Sequence, residues 1–163
     1  VTMDKELYEL AARVGAALKA HCLQLATAES CTGGWIGEVV TAVPGSSHWY
    51  ERGFITYTNA AKREMLDVPA GTLEKFGAVS EPTVQAMAAG ALAKSHAHIA
   101  VAVSGVAGPA GGSPAKPVGT VCIAWARGAG APVAETRHFA GDREAVRRQT
   151  VLCALEGVLA IVK

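Results

Sequence analysis

The chain has 163 residues, a formal net charge of +1, 18% charged residues and 50% apolar residues. Folded domains usually carry roughly 25% charge, so this composition excludes a disordered chain, which needs many charges and few apolar residues, and a basic field able to hold DNA or RNA by electrostatics alone. With its 18 glycines, about three-fifths of the chain is apolar or glycine, against roughly half in typical domains.

That excess predicts that apolar surface lies against another subunit, in a dimer or higher homo-oligomer. The length fits a single domain spanning 1–163. Residues 95–115 lack Asp, Glu, Lys and Arg, but Gly105, Gly108, Pro109, Gly111, Gly112 and Pro114 interrupt them, so no membrane span is expected. Asp4, Glu6 and Glu9 stand where a secretory signal would be basic and then apolar. Cys22, Cys31, Cys122 and Cys153 are far apart, with no CxxC pair. They read as reduced thiols of a cytoplasmic protein.

Along the chain, helical and strand periods alternate. Leu7, Leu10, Ala11, Val14 and Leu18 share one face of a helix over 3–20. Leu23 to Glu29 reads as a short strand. A helix then begins at Thr32-Gly33-Gly34 and ends near Ala42, before Pro44-Gly45. Gly53 to Thr58 is expected to be a second strand, with Asn59 capping a short helix that carries Lys62. Thr72 is expected to cap another turn, stopped at Gly77. Ser80, with Pro82 two residues on, starts a long helix to about Ser95. The apolar run His98 to Ser104 reads as a buried central strand. A Gly/Pro-rich loop over 105–119 follows, then paired strands at Thr120 to Ala126 and Val133 to Phe139. Asp142 caps a last helix to about Ala160. The sum is an α/β chain: a three-layer α/β/α sandwich around a mixed sheet of about four to six strands.

Four segments carry candidate chemistry. In Ala28-Glu29-Ser30-Cys31-Thr32-Gly33-Gly34 a serine stands where a strand runs into a helix. The glycines admit close approach of a substrate to the backbone, and free N–H groups at a helix start favour developing negative charge. The same features suit simple capping by Ser30 and Thr32, and Cys31 is a rival nucleophile, since helix starts stabilise thiolates. In Tyr57-Thr58-Asn59-Ala60-Ala61-Lys62, Lys62 is either an exposed lysine or a general base for Ser30, with Tyr57 relaying a proton or holding the lysine. A free lysine titrates near 10.4, so a base at neutral pH needs burial or a neighbouring cation. The third segment, Ser104-Gly105-Val106-Ala107-Gly108-Pro109-Ala110-Gly111-Gly112 with Lys116, follows the central strand. It is either an anion-binding nest or a plain surface loop, and it is neither a Walker A sequence nor GxGxxG. The fourth is Asp142-Arg143, where Arg143 fits a phosphate or carboxylate clamp. His96 and His98 share a strand face, but no third ligand is evident, so no metal is expected. Trp35, Trp49 and Trp125 read as core or interface anchors.

Taken with Val43-Pro44-Gly45-Ser46-Ser47, Gly77-Ala78-Val79-Ser80-Glu81 and Lys116-Pro117-Val118-Gly119-Thr120, these segments resemble the C-terminal domain of the competence/damage-inducible CinA family in its stand-alone, PncC-type form. The resemblance covers nearly the whole chain. It implies hydrolysis of the carboxamide of nicotinamide mononucleotide (NMN) to nicotinate mononucleotide and ammonia, in pyridine nucleotide salvage for NAD synthesis. It also implies a serine–lysine site, no metal, no cofactor and an oligomer. Carried over by position, Ser30 is the nucleophile, Lys62 the base and Tyr57 an assistant. Cys31, Thr32, Gly33, Gly34, Asn59, Ser104, Gly105, Gly108, Gly111, Gly112, Lys116 and Arg143 contact substrate. Ser104 stands where threonine is usual, Thr58 where serine is common and His98 where aspartate is frequent. The competing expectations are a catalytically inactive nucleotide-binding module tied to competence and an amidase for another small amide.

Overall fold

The computed structural model describes residues 3–163. Its five strands are β1 Leu25–Glu29, β2 Tyr50–Ile55, β3 Ile99–Gly105, β4 Thr120–Arg127 and β5 Val133–His138. They form one mixed sheet in the order β2-β1-β3-β4-β5. The three strands β2, β1 and β3 are mutually parallel, while β4 runs antiparallel to both β3 and β5. The helices are α1 Lys5–Ala20, α2 Trp35–Thr41, α3 Asn59–Leu66, α4 Ala70–Phe76, α5 Glu81–Ala93 and α6 Arg143–Val162. Helices α1, α2 and α6 cover one face of the sheet and α3, α4 and α5 the other. This is the expected three-layer α/β/α sandwich.

Sequence alternation makes the two faces unlike. Every residue of β1 and nearly all of β3 and β4 are buried, as strands covered on both sides require. Toward α1, α2 and α6 the strands present Leu25, Ile99, Val101, Val103, Ile123 and Trp125. Toward α5 they present Ala26, Ala28, Ala100, Ala102, Ala124 and Ala126. The branched face contributes most of the transfer free energy, about 1.5–3 kcal/mol per fully buried large side chain. The alanine face lets α5, itself rich in alanine, sit close to the sheet. A Cβ at Gly90 of α5 would lie 2.0 Å from the Leu66 carbonyl oxygen at the end of α3, so those two helices touch through backbone.

Side-chain caps fix the helix starts. Asp4, Thr58, Ser80 and Asp142 accept from the N–H groups of Leu7, Ala61, Thr83 and Ala145, each cap contributing about 1 kcal/mol. Thr58, and not Asn59, caps α3; Asn59 is its first residue. Pro69, and not Thr72, precedes α4. Helix α2 begins at Trp35, later than Thr32, because Gly33 and Gly34 hold φ of +59° and +103°, a left-handed backbone that cannot start a right-handed helix. Strand β2 lies three residues earlier than Gly53 to Thr58. Its register matches Tyr50 to Leu25 and Ile55 to Glu29, and the chain then leaves the ladder. No helix among the described residues is long and apolar enough to cross a membrane.

The packing argument separates two glycines. Gly90→Ala is expected to cost about 1–3 kcal/mol through overpacking. Gly71→Ala in α4, where an added methyl meets nothing within 4 Å, is expected to be neutral or stabilising by up to about 1 kcal/mol. Urea unfolding of the two variants checks the contrast; equal midpoints would contradict it.

Candidate active site

From the C-terminal end of β1 the chain passes to α2 on one face, and from that of neighbouring β2 to α3, α4 and α5 on the other, and such a switch point opens a crevice in parallel sheets. Ser30 is the first residue beyond β1. Its N–H donates to the Val103 carbonyl at 3.1 Å, prolonging the β1–β3 pairing by one residue. Ser104 and Gly105 end β3 beside it. The turn from Ser30 to Gly34 is held by Gly33 N–H donating to the Ser30 carbonyl at 3.1 Å and Trp35 N–H to the Thr32 carbonyl at 3.0 Å. At Gly34, a Cβ would press on Ile55 Cδ1 at 3.0 Å, so both the left-handed φ and the space require glycine there.

Glu29, 2% exposed, anchors the turn from below. Its Oε1 accepts from Thr32 Oγ1 at 2.6 Å and Ile36 N–H at 2.9 Å, and its Oε2 from Gly37 N–H at 3.1 Å. The carboxylate therefore occupies the positive end of α2, which sequence reasoning left open for substrate. Among the described residues, the N–H groups of Cys31 and Thr32 meet no protein acceptor.

Lys62, in the first turn of α3, is 1% exposed. Its Nζ lies 3.1 Å from Ser30 Oγ, 2.9 Å from the Thr56 carbonyl oxygen and 3.3 Å from that of Tyr57. Thr56 N–H still donates to the Glu29 carbonyl of β1 at 2.9 Å, and the ladder ends there, so the Thr56 and Tyr57 carbonyls turn to the lysine. Burial pushes the Lys62 amine below the usual lysine range, with the neighbouring Cys31 acting the other way. In its neutral form the amine has two N–H groups for two carbonyls and a lone pair left for the Ser30 hydroxyl. Burial also pushes the Cys31 thiol up to about 11, so near neutral pH it is a thiol and not a thiolate.

A cavity of about 310 Å³ is lined by Ser30, Cys31, Lys62, Ser104 and Gly105, with Gly108, Gly111 and Gly112 from the loop. A wider depression of about 1300 Å³ adjoins it, lined by Thr32, Gly33, Gly34, Trp35 and Arg147 among others; Arg143 borders both. Arg143 donates to the Gly108 carbonyl at 2.8 Å and to Tyr57 Oη at 3.2 Å. The Tyr57 ring is exposed; it is the Tyr57 backbone, not its phenol, that meets Lys62. Two expected residues are not brought to the cavity. Asn59 is exposed on α3, and Lys116 Nζ donates to the Phe76 carbonyl at 2.6 Å in a separate hollow. His98 has a structural partner, its Nδ1 accepting from Gln24 N–H at 2.9 Å; a carboxylate at that position would accept equally well.

Sequence reasoning missed Glu29, Thr56 and Arg147. A carboxylate ending an otherwise uncharged strand signals buried donors nearby, and Arg147 shares a helix face with Arg143 by its four-residue spacing. The Thr56 carbonyl left no signal in its side chain.

Fold and site together define an α/β/α protein with a buried serine–lysine contact at its sheet switch point. The model of the CinA C-terminal domain matches residues 7–162, and the chain belongs to that family. It is 57% identical over 152 residues to the nicotinamide-nucleotide amidohydrolase PncC of Pseudomonas putida, covering 93% of this chain and 94% of that one. It is 53% identical over 153 residues to the protein of that name from Escherichia coli K12, covering 94% and 93%. The crystal structure of the competence/damage inducible protein CihA from Agrobacterium tumefaciens superposes with a TM-score of 0.95 at 44% identity, over 100% of this chain and 99% of that one.

The burial of the thiol gives a direct test. Iodoacetamide at neutral pH is expected to label exposed Cys22 and spare Cys31, read by peptide mass mapping. Labelling of Cys31 as fast as Cys22 would contradict the site's geometry.

Proposed function

We propose that the chain hydrolyses the carboxamide of NMN to nicotinate mononucleotide and ammonia, with Ser30 as nucleophile and Lys62 as general base. The observation that carries the mechanism is the 3.1 Å approach of Lys62 Nζ to Ser30 Oγ, with two backbone carbonyls beside the amine. The substrate follows from the amidohydrolase relatives that match this chain nearly end to end.

Neutral Lys62 takes the Ser30 hydroxyl proton as Oγ bonds to the carboxamide carbon. The resulting ammonium has three N–H groups and keeps both carbonyl bonds. The N–H groups of Cys31 and Thr32 receive the oxyanion of the tetrahedral intermediate. Lys62 returns the proton to the departing nitrogen as the C–N bond breaks, and ammonia leaves. Water then attacks the acyl carbon, Lys62 accepts one of its protons and hands it to Ser30 Oγ, and the acid is released, giving its remaining proton to the ammonia in solution and leaving as the carboxylate. A neutral lysine also spares the cationic pyridinium ring a like charge. Arg143, beside the glycines of the loop, supplies the positive charge for the substrate phosphate, while Ser104 offers a hydroxyl at the ring.

This reading places the protein in pyridine nucleotide salvage. The four unpaired cysteines fit a reducing cytoplasm. Exposed Ile55, Tyr57, Met65, Phe76, Val118 and Val133 suit a homo-oligomer.

Ammonia release from NMN by the purified chain is the decisive assay, with a panel of other small amides to separate substrates; binding without turnover would favour the inactive-module reading. Ser30→Ala is expected to abolish turnover and Cys31→Ala to retain most of it; the reverse would move the mechanism to the thiol. Lys62→Met is expected to lower kcat by about 10²–10⁴. Because burial depresses Lys62, kcat/KM is expected to climb with pH and level off below the ordinary lysine value of about 10.4. A climb centred on that value would contradict a depressed base.

A further inference from the structure

We propose that Arg147 is a positioning residue that orients and polarises the oxyanion-binding amides beside Ser30; this rests on the serine–lysine reading above. From α6, Arg147 Nε donates to the Cys31 carbonyl and Nη2 to the Thr32 carbonyl, both at 3.0 Å. A trans peptide points its C=O and N–H in opposite directions. Pulling the Cys31 carbonyl toward α6 therefore turns the Thr32 N–H away from it. The second bond acts through one more peptide. The Thr32 carbonyl belongs to the unit whose N–H is Gly33, and Gly33 N–H donates to the Ser30 carbonyl. That carbonyl belongs to the unit whose N–H is Cys31.

One guanidinium thus heads two relays that end on the N–H groups of Cys31 and Thr32, the two that meet no protein acceptor among the described residues. Bonds from a charged donor are stronger than neutral ones, and each peptide in a chain of hydrogen bonds polarises the next. Cys31 and Thr32 are buried, where such polarisation is weakly screened. Stacking on the Trp35 ring, 5.4 Å from its centroid, fixes the guanidinium direction. Arg147 also borders the wider depression, so direct contact with the substrate phosphate is the rival role.

Kinetics separate the two roles. Tightened amides act on the transition state, so Arg147→Ala is expected to lower kcat about 10- to 100-fold while KM moves less than about twofold. Free guanidinium is expected to restore part of that kcat, a rescue that mere loss of structure would not permit. Arg147→Lys, which keeps the charge but cannot fork onto two carbonyls, is expected to lower kcat at unchanged KM, and it decides the matter if the alanine variant does not fold. A rise in KM at unchanged kcat in either variant would overturn the inference in favour of phosphate binding. So would wild-type kcat in the lysine variant. A wild-type chain that releases no ammonia from NMN would defeat the proposed function and this inference with it; an active one with an indifferent Arg147 defeats the inference alone.

Discussion

A lysine amine removed from water, with only two backbone carbonyls and one serine hydroxyl for company, is the constraint on which the rest of the site depends. Burying an ammonium is costly unless its charge is met, and among the described residues no carboxylate pairs with Lys62. The nearby carboxylate of Glu29 is engaged by Thr32 Oγ1 and the first amides of α2. Burial therefore biases the amine toward its neutral form, in which the two carbonyls take its N–H groups and its lone pair is left for Ser30.

Each layer of the fold supplies part of that placement. The β1–β3 pairing carries Ser30 one residue past the sheet edge, with its N–H still on Val103. Strand β2 stops at Ile55, which frees the Thr56 and Tyr57 carbonyls for the lysine. The alanine face lets α5 lie close beneath, and α3 rests against it through Gly90 and Leu66, fixing the helix that carries Lys62. Opposite, α6 brings Arg143 over the loop at Gly108 and Arg147 onto the turn that follows Ser30. The floor and the walls of the site thus come from different layers, so the site exists only when the sandwich is assembled.

Much of this was legible in the residues. The apolar run His98 to Ser104 and the caps at Ser80 and Asp142 placed their elements to within a few residues. Ser30 and Lys62 stood out at two strand-to-helix junctions, and the structure brings those junctions together. What escaped was carried by backbone. The Thr56 and Tyr57 carbonyls that seat Lys62 belong to no side-chain pattern. Gly33 and Gly34 were read as an opening for substrate, yet their left-handed conformation delays α2 and turns Ser30 and Cys31 into the cavity. Lys116 shows the converse: a polar residue in the right segment does not fix where its polar atom goes. The charge-poor stretch 95–115 proved to be the central strand β3 followed by the cavity's glycine loop.

The central claim is a charge state, and it is open to direct observation. Heteronuclear NMR of lysine-labelled protein, with Lys62 assigned by its absence in Lys62→Met, follows the titration of its side chain. The account predicts a Lys62 signal that titrates below the other lysines, depressed by burial. A Lys62 that titrates with the exposed lysines, near 10.4 or above, would contradict it.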